Sequence, residues 1–497
     1  MPDIQPIFEA RNIFKSFGPV HALQDVSVSL YKGEVHSIIG ENGAGKSTLM
    51  SIICGRFPPT KGKLFVDGDE VHFSRPKDAQ ACGIAIAPQE INLVPDLTVA
   101  ENIMLGAHRG RAAAINWRET NAEGARHLHD VDTSINPRAR VSDLSKAQQQ
   151  LVQIARAAAT DARIIIFDEP TASLTYREEE TLMAFIESLA LQGRSAFYIS
   201  HRLDEVRRLS ARITVLRDGV NVGVITPADA TRERMVTMMA GRPPKIGAQD
   251  IRDIATTETV LEVEGLTRAH EFRDVSFALK KGEILGVSGL IGSGRTELAK
   301  CIFGATRPQS GKVRLNGKEV TFKDPLQAIQ AGLIYLPEER KQEGIFPLLS
   351  IAENTALPTL DRFTGLLRLK NREMLAEVDR LAVQLKAKFN ALTDPITSLS
   401  GGNQQKFIIA RWLMRDAHVL ILDEPTRGID VSAKFEIQSV LRRLTEERGL
   451  SIIVISSEME ELLDVADRII VMHEGRLKGT LNRRDATQQG LLELAMT

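Results

Sequence analysis

Paired cysteines, long apolar runs and an excess of charge of either sign are all missing from this sequence of 497 residues. Its three cysteines, Cys54, Cys82 and Cys301, lie far apart, which argues against a zinc site or a disulfide framework. Lys and Arg number 63 and Asp and Glu number 64, so the formal net charge is -1. That balance argues against a protein that binds mainly by neutralising nucleic-acid phosphates or anionic lipids.

The apolar runs are too short to cross a membrane, because a spanning helix needs about 20 consecutive apolar residues. Runs such as Ile164 to Phe167 and Val419 to Leu422 have the length of buried strands. The first residues, MPDIQPIFEARNIFKSFG, lack the basic and then apolar pattern of a secretory signal. We therefore expect a cytosolic protein whose membrane role, if it has one, comes through a partner.

One module is written twice along the chain. ALQDVSVSLYKGEVHSIIGENGAGKST is echoed by EFRDVSFALKKGEILGVSGLIGSGRTE, and ARIIIFDEPTASLT is echoed by AHVLILDEPTRGID. The offset between matching positions grows from 249 to 255 residues, which predicts a small insertion in the second copy. We expect a first cassette at 1–243, a second at 260–497, and a linker at 244–259, where GRPPK precedes a polar segment.

Each copy has an α/β pattern. Buried β-branched runs at Val35 to Ile39, Ile164 to Phe167 and Ser195 to Ile199 alternate with helical stretches such as Ala147 to Ala159. This alternation predicts a mainly parallel sheet. The piece LFVDGDEVHF predicts a hairpin on an antiparallel edge, with Asp67-Gly68 as its turn.

A complete phosphate-binding loop follows the first buried strand. The segment GENGAGKS matches GxxxxGK[ST] and leads into a helix, so backbone N–H groups and the helix N-terminus favour phosphates. Lys46 is expected to reach the β- and γ-phosphates, and the Ser47 hydroxyl to bind Mg²⁺. The predicted nucleotide-binding residues of this loop are Gly40, Glu41, Asn42, Gly43, Ala44, Gly45, Lys46, Ser47 and Thr48.

Two carboxylates end a later buried strand, where ligands gather in parallel sheets. Asp168 is a candidate Mg²⁺ ligand through water, and Glu169 a candidate general base. Taken in isolation, Glu169 could instead be a helix N-terminal charge before Pro170, which is the less favoured alternative. Gln89 could contact both metal and water, and His201, after the next strand, could donate to the γ-phosphate.

The order of these motifs resembles the ATP-binding cassette (ABC) ATPases, with Leu144 to Gln148 in the position of their signature. The resemblance implies two tandem P-loop NTPase cassettes, each a mainly parallel RecA-like core with an antiparallel β edge and a helical subdomain. It also implies ATP and Mg²⁺ as cofactors. Phe17 matches the adenine-stacking aromatic of the family, although a core or turn Phe would fit as well.

The second copy departs from the family pattern in its phosphate-binding motifs, while its signature and D-loop keep the pattern. Arg295 replaces the loop lysine, Glu338 stands where Gln89 does, and Ser457 replaces His201. Its LSGGNQQK signature keeps both glycines and its D-loop keeps an aspartate, whereas the first copy has lost the glycine pair and carries Thr175. The resemblance adds these nucleotide-binding residues from the second copy: Ser400, Gly401, Gly402, Gln404 and Asp430.

In ABC proteins two cassettes close head to tail, so each ATP lies between the loop of one and the signature of the other. Carried over here, one site combines every intact motif and the other combines every altered one. We expect one hydrolytic site and one degenerate site that mainly binds nucleotide. Asp423 and Glu424 survive in the second site, which leaves some turnover there open.

The resemblance extends to the ATP-binding subunits of bacterial importers for ribose, galactose, xylose and arabinose, through PEERK, LSGGNQQK, TRGIDVSAK and SSEMEELLDVADRI. It implies an ATP hydrolase at the cytoplasmic face of the inner membrane, with two permease subunits and a periplasmic or lipid-anchored sugar-binding protein. The permease would dock near Leu93 to Leu105 and Phe346 to Leu357, whose apolar residues could equally be core.

Two other classes stay open. A tandem ABC protein acting on ribosomes or DNA would carry a long charged linker or inserted cysteines, which this sequence lacks, so we expect no nucleic-acid partner. A nucleotide-binding regulator without turnover conflicts with the intact first loop. The sequence does not specify the sugar.

Overall fold

The computed structural model describes residues 5–105, 110–111, 114–132, 134–171, 174, 176–241, 257–290, 292–365, 369–415 and 417–496. The chain divides into two compact units, Met1–Pro244 and Lys245–Thr497. Most of the predicted linker, and Thr175, lie outside the described residues. The limits of the linker therefore stay a prediction.

The described strands of the first unit form two larger sheets and a short ribbon. They are β1 (Phe8–Phe17), β2 (Val20–Leu30), β3 (Val35–Ile39), β4 (Lys61–Val66), β5 (Asp69–Val71), β6 (Ile84–Ala87), β7 (Gly110–Arg111), β8 (Ala114–Ile115), β9 (Ile164–Asp168), β10 (Ser195–Ile199), β11 (Arg212–Arg217) and β12 (Val220–Ile225). One sheet is antiparallel, in the order β2-β1-β4-β5. The other has the order β12-β11-β3-β10-β9-β6 and is parallel except for β12.

The described helices of the first unit are α1 (Lys46–Ile53), α2 (Pro76–Ala81), α3 (Val99–Ile103), α4 (Trp117–Val131), α5 (Lys146–Ala158), α6 (Tyr176–Leu191), α7 (Leu203–Leu209) and α8 (Arg232–Ala240). Side chains of α1 and of both larger sheets share one apolar core, for example Phe8, Leu49 and Phe197. Strands β3, β9 and β10 carry almost wholly buried side chains, as expected when helices cover both faces of a parallel sheet.

The second unit repeats this arrangement. Its described strands are β13 (Thr259–Arg268), β14 (Phe272–Lys280), β15 (Ile284–Gly289), β16 (Ser310–Leu315), β17 (Lys318–Val320), β18 (Leu333–Leu336), β19 (Val419–Asp423), β20 (Ser451–Ile455), β21 (Arg468–His473) and β22 (Arg476–Asn482). The sheet orders are β14-β13-β16-β17, which is antiparallel, and β18-β19-β20-β15-β21-β22, which is parallel except for β22.

The described helices of the second unit are α9 (Arg295–Ile302), α10 (Pro325–Gln330), α11 (Ile351–Ala356), α12 (Leu360–Phe363), α13 (Asn371–Gln384), α14 (Gly401–Leu413), α15 (Val431–Arg448), α16 (Met459–Val465) and α17 (Gln488–Met496). A π-helical turn, Arg340–Gly344, follows β18 and has no counterpart among the described residues of the first unit. The predicted fold class, two α/β cassettes with an antiparallel edge, is confirmed.

Candidate functional site

The first phosphate loop joins β3 to α1 through glycines in left-handed conformations. Gly43 has φ 85° and Gly45 has φ 99°, where residues with a Cβ are strained. A Cβ on Gly45 would lie 2.6 Å from Cδ2 of Leu23 and 2.7 Å from the carbonyl oxygen of Ala22. A Cβ on Gly43 would meet nothing within 4 Å. Gly45 is thus required by its close approach to β2, while the side of the loop at Gly43 stays open.

The ammonium group of Lys46 lies across this loop. Its Nζ donates hydrogen bonds to the carbonyl oxygens of Gly40, at 2.7 Å, and Glu41, at 2.9 Å. Its charge also lowers the pKa values of Asp168 and Glu169, although it is not the largest influence on either. Ser47, the next residue, is exposed at the start of α1. The loop, its lysine and the two carboxylates therefore belong to one electrostatic site.

Asp168 and Glu169 end β9 in different environments. Burial and the neighbouring charge of Glu169 raise the pKa of Asp168 to about 6. A hydrogen bond to His201 keeps the pKa of Glu169 below its usual value despite partial burial. Glu169 adopts φ 48°, and its N–H donates to the carbonyl oxygen of Ile199 at 2.9 Å. Glu424, the matching residue of the second unit, adopts φ 47°, so this backbone conformation is shared by both cassettes.

Side chains from two further loops converge on Glu169. Gln89, after β6, donates from Nε2 to Oε2 of Glu169 at 2.7 Å. Nδ1 of His201, after β10, lies 3.6 Å from Oε1 of the same carboxylate. Three residues predicted separately from the sequence therefore meet at one carboxylate, which is ionised at neutral pH and so can accept a proton.

In the corresponding loop of the second unit, the positively charged side chain of Arg295 is buried. Nη1 of Arg295 donates to the carbonyl oxygen of Ser456 at 2.8 Å, and Nη2 lies 3.9 Å from Oε1 of Glu424. Only 9% of the Arg295 side chain is exposed, and this burial lowers its pKa. The N–H of Ser457 donates to the same Glu424 oxygen at 2.6 Å. Burial raises the pKa of Glu424 to about 7, so this carboxyl is partly protonated at neutral pH, whereas Glu169 is ionised.

Two more groups of the second unit have partners that the first unit lacks. The Tyr335 hydroxyl donates to Oδ2 of Asp423 at 2.9 Å, and Asp423 is only 1% exposed. Glu338, at the position of Gln89, forms an ion pair with Arg427. The sequence at the matching positions of the first copy is Ile86 and Ala172. The side chains that differ in the second unit thus form a hydrogen bond and an ion pair with other residues of that unit.

Comparison with known proteins fits this duplicated geometry. Residues 23–172 and 272–427 both match the ABC transporter family. The chain belongs to the ABC transporter family. It is 44% identical over 99% of its length to a ribose import ATP-binding protein of Rubrobacter xylanophilus, and covers 94% of that relative. It is also 44% identical over 99% of its length to one of Rhizobium etli, of which it covers 97%. The prediction of an ATP-hydrolysing ABC protein is confirmed.

A solved structure shares the two-cassette fold. This chain resembles one in the crystal structure of the complex of archaeal ribosomal stalk protein aP1 and archaeal ribosome recycling factor aABCE1, with a TM-score of 0.68 and 21% identity. The alignment covers 97% of this chain and 92% of the other. At that identity the likeness establishes the fold alone. Among its described residues, this ABC chain has no helix both long and apolar enough to span a membrane.

The two ABC signature segments present their serines differently. Ser145 caps α5, with Oγ accepting from the N–H of Gln148 at 3.2 Å, while Gln148 Oε1 accepts from the N–H of Ser145 at 3.1 Å. Ser400 makes no such cap for α14, and its Oγ accepts from Nδ2 of Asn403 at 3.0 Å. Gln404 donates instead to the carbonyl oxygen of Leu399 at 3.1 Å. The Ser400 hydroxyl is therefore not held by the helix backbone.

The two signature glycines of the second cassette lie close to neighbouring side chains. A Cβ on Gly402 would lie 2.5 Å from Cβ of Ala433 on α15, and one on Gly401 would lie 2.9 Å from Nη2 of Arg340. Asp430 caps α15, with Oδ1 accepting from the N–H of Ala433 at 2.8 Å. The signature of the second cassette thus packs against the first turn of α15, the helix that Asp430 caps.

Phe17 is not a core residue. It lies at the end of β1, 49% exposed, and packs edge-on against Phe57 at 5.4 Å between ring centroids. The ammonium of Lys15 lies 5.2 Å from its ring centroid. The ring is half-exposed in the same unit as the phosphate loop, so part of its surface is accessible to a planar ligand, as the family pattern implies.

Sequence reasoning missed a buried glutamate behind each DEPT loop. Glu205 accepts hydrogen bonds from Thr171 at 2.9 Å and from Tyr198 at 2.7 Å. In the second cassette, Glu461 accepts from Thr426 at 2.8 Å. These bonds anchor the threonine of each DEPT motif. The signal was present, since YISHRLDEV and VISSEMEEL align the two glutamates.

Proposed function

We propose that this chain is the ATP-hydrolysing subunit of a bacterial importer for ribose or a similar monosaccharide. The observation that carries the proposal is the 44% identity, over 99% of the chain, to ribose import ATP-binding proteins of two bacteria. The converged Gln89, Glu169 and His201 support turnover as opposed to simple nucleotide binding. Nothing in the chain itself specifies the sugar.

In the proposed reaction Glu169 is the general base. Its Oε atoms accept a proton from the water that attacks the γ-phosphorus, while the bond to the leaving ADP oxygen breaks. Gln89 and His201 hold the carboxylate from two sides and so fix its orientation. Lys46 lies on the phosphate loop and supplies positive charge to the phosphates.

The residues present fit a magnesium ion. Asp168 is a carboxyl whose pKa is raised by burial and by a neighbouring negative charge, so a cation beside it would favour its ionised form. Ser47 and Gln89 are exposed oxygen donors in the same site. When bound, Mg²⁺ would neutralise charge on the phosphate oxygens. We assign Ser47, Gln89 and Asp168 as its holders.

The proposal includes one competent and one degenerate ATP site. The first cassette would supply the phosphate loop, Asp168, Glu169 and His201, with Phe17 against adenine. The second would complete that site with Ser400, Gly401, Gly402, Gln404 and Asp430. What supports this is that Glu169 has the partners of a base, whereas Glu424 is held by Arg295 and the Ser457 amide.

The proposed partners are two membrane permease subunits and, indirectly, a periplasmic or lipid-anchored sugar-binding protein, with no nucleic acid. This chain would sit on the cytoplasmic face of the inner membrane. Helix α3 is mostly core, but Val94 and Leu105 beside it are over one-third exposed. In the second cassette Leu348 is 98% exposed and Phe346 48% exposed. These side chains support permease contact at both proposed surfaces.

Reconstitution tests the proposal. The chain would be co-expressed with the permease subunits encoded beside it and assembled in liposomes with the neighbouring binding protein. We expect ATP-dependent uptake of labelled ribose or a related monosaccharide, lost in Glu169→Gln. ATPase activity that responds to ribosomes or nucleic acid, but not to permease and sugar-loaded binding protein, would contradict it.

A further inference from the structure

The segment between the Gln89 position and the apolar surface is longer in the second cassette. Asn102 and Asn354 mark equivalent points, because their Oδ1 atoms accept from the N–H groups of Val94 and Phe346, each at 2.8 Å. Five positions separate Gln89 from Val94, and eight separate Glu338 from Phe346. The three extra residues are accommodated in the π-helical turn Arg340–Gly344. Such turns are frequent at functional sites.

Arg340, at the start of this turn, reaches the signature. Its Nη1 donates to the carbonyl oxygen of Gly401 at 3.1 Å. Its guanidinium also lies against the Cα of Gly401, where a Cβ would be 2.9 Å from Nη2. The side chain is half-buried, and burial lowers its pKa. Arg340 therefore fixes the backbone directly after Ser400.

Glu338, two residues earlier, is tied to the D-loop. Its ion pair with Arg427 is joined by Glu339, whose Oε1 lies 3.9 Å from Nη1 of Arg427. Arg427 stands between Thr426, which is anchored on buried Glu461, and the loop that leads to Asp430. One short segment thus touches both the signature and the D-loop.

The far end of the segment is tied to the apolar surface. Arg411, buried in α14, donates from Nη1 to the carbonyl oxygen of Gly344 at 2.8 Å and from Nε to that of Asn354 at 2.7 Å. Its guanidinium carbon lies 5.9 Å from the ring centroid of Phe346. The segment Glu338–Gly344 therefore connects the exposed Phe346 and Leu348 to the signature and the D-loop.

The first cassette holds the equivalent segment in another way. Ile91 and Ala172 occupy the sequence positions of Arg340 and Arg427. Gln153, in the middle of α5, accepts from the N–H of Asn92 at 2.6 Å and donates to the carbonyl oxygen of Pro88 at 2.6 Å. Gln153 thus holds the segment from the middle of α5, away from the altered signature at the start of that helix. The contacts of Arg340 and Arg427 therefore accompany the cassette whose signature is intact. The Arg411 contact, by contrast, has a counterpart in Arg156, whose Nη1 donates to the carbonyl oxygen of Asn92 at 3.1 Å.

We propose that Arg340 and Arg427 are positioning residues that set the signature and D-loop of the second cassette for hydrolysis in the competent site. The inference rests on the proposed function, in which Ser400 and Asp430 complete the ATP site of the first cassette. Because partly exposed ion pairs add little to stability, loss of the Glu338–Arg427 pair should leave the free energy of unfolding nearly unchanged.

Substitution of Arg340 tests the proposal in the full-length chain. In Arg340→Ala we expect kcat for ATP hydrolysis to fall about tenfold while the affinity for ATP stays within about twofold, since misplaced groups cost rate more than binding. Arg340→Lys should recover part of the rate, because one donor still reaches the Gly401 carbonyl. The matched control is Arg380→Ala, which removes an exposed arginine paired with Glu377 on α13.

A charge exchange tests Arg427 without depending on one variant. Glu338→Arg and Arg427→Glu should each lower kcat, and the double variant should recover most of the loss, because it restores the ion pair in reverse. Thermal melting should differ little among these variants. Additive losses in the double variant would overturn the proposal.

The outcome is separable from that of the proposed function. If Arg340→Ala and Arg427→Glu behave like Arg380→Ala while Lys46→Ala abolishes hydrolysis, the positioning role is wrong and the proposed ATPase stands. If Lys46→Ala hydrolyses ATP like the unmodified chain, the proposed function fails first. A parallel fall of melting temperature, ATP affinity and kcat in Arg340→Ala, without recovery in Arg340→Lys, would also overturn the positioning role.

Discussion

The two cassettes differ most, residue by residue, in what surrounds the glutamate after each strand-ending aspartate. Glu169 has Gln89 and His201 beside it and a lowered pKa. Glu424 has the Ser457 amide and Arg295 beside it, and burial raises its pKa to about 7. At neutral pH Glu169 is ionised between these two side chains, Gln89 and His201, while Glu424 is partly protonated and lies beside a buried arginine.

This difference predicts unequal effects of the same isosteric change. Glu169→Gln removes the proton acceptor of the proposed competent site and should lower kcat by about 100-fold or more. Glu424→Gln should change kcat by less than about twofold, because in our account this carboxyl is not the general base for ATP hydrolysis. Steady-state phosphate release from the two purified variants makes the comparison. A large loss from Glu424→Gln would show that the second site also turns over.

From the burial of His36 we predict that the free energy of unfolding falls when the pH is lowered. It is 1% exposed, its Nδ1 lies 2.8 Å from the carbonyl oxygen of Ser29, and its Nε2 lies 2.7 Å from Thr214 Oγ1. Burial lowers its pKa to about 4, against an opposing influence of Glu34, while Arg212 lowers it further. Both ring nitrogens are satisfied with the ring neutral, which fits that direction.

Since the unfolded chain takes up this proton near pH 6.5 and the folded chain near pH 4, the free energy of unfolding falls as pH drops through that window. The loss due to His36 should reach about 3 kcal/mol at pH 4. Urea denaturation of the unmodified chain and His36→Gln at several pH values measures it. Equal slopes between pH 6.5 and 4 in both proteins would contradict this assignment.

Among the elements, the strands and phosphate loops were predictable because their signals are local. The buried runs and the Asp67-Gly68 turn correspond to β3, β9, β10 and the β4–β5 hairpin, with Asp67 at φ 51° and Gly68 at φ 90°. Contacts distant in sequence were not predictable. Nothing near Arg427 indicates that it meets Glu338, or that Tyr335 reaches Asp423 across 88 residues. The π-helical turn was visible only as an offset between copies.

Packing between α14 and α15 predicts unequal losses of stability for alanine substitutions at two neighbouring glycines. Alanine in a helix is favoured over glycine by about 1 kcal/mol. In Gly402→Ala that gain is exceeded, because the new Cβ would lie 2.5 Å from Cβ of Ala433. We expect Gly402→Ala to lower the free energy of unfolding by about 1–3 kcal/mol, as overpacking does.

Gly401→Ala is the matched control. Its new Cβ meets only the flexible end of Arg340, so the free energy of unfolding should shift by less than about 1 kcal/mol. Chemical denaturation of the two variants compares them directly. If Gly401→Ala were the more destabilising change, the packing of α14 on α15 would not be the reason for the glycine pair.

On the scale of the whole molecule, the two cassettes share the contacts that support the fold and differ in their loops. Both cassettes keep a buried glutamate paired with an arginine, Glu34 with Arg212 and Glu283 with Arg468. Both also keep the threonine–glutamate anchor of the DEPT loop. The differences fall on the side chains around the phosphate loops, on the signature segments and on the π-helical turn. The fold is thus maintained in both halves, while the proposed chemistry is concentrated in one.

The two compact units predict a complementation result. A fragment of residues 1–241 should bind ATP, because the loop, Lys46 and Phe17 all lie within it, yet it should hydrolyse ATP poorly without the second signature. Adding a fragment of residues 257–497 should restore hydrolysis in a concentration-dependent way. Equilibrium binding and phosphate release on the separate and mixed fragments measure this. Full hydrolysis by the first fragment alone at high dilution would contradict it.

The most direct test of the shared site is ATP hydrolysis by four variants of the full-length chain. Lys46→Ala and Ser400→Arg alter the two halves of the proposed competent site, and Arg295→Ala and Ser145→Arg alter those of the degenerate one. Our account predicts near-complete loss of hydrolysis in the first pair and substantial activity in the second. Equal loss in Lys46→Ala and Arg295→Ala, or full activity in Ser400→Arg, would contradict it.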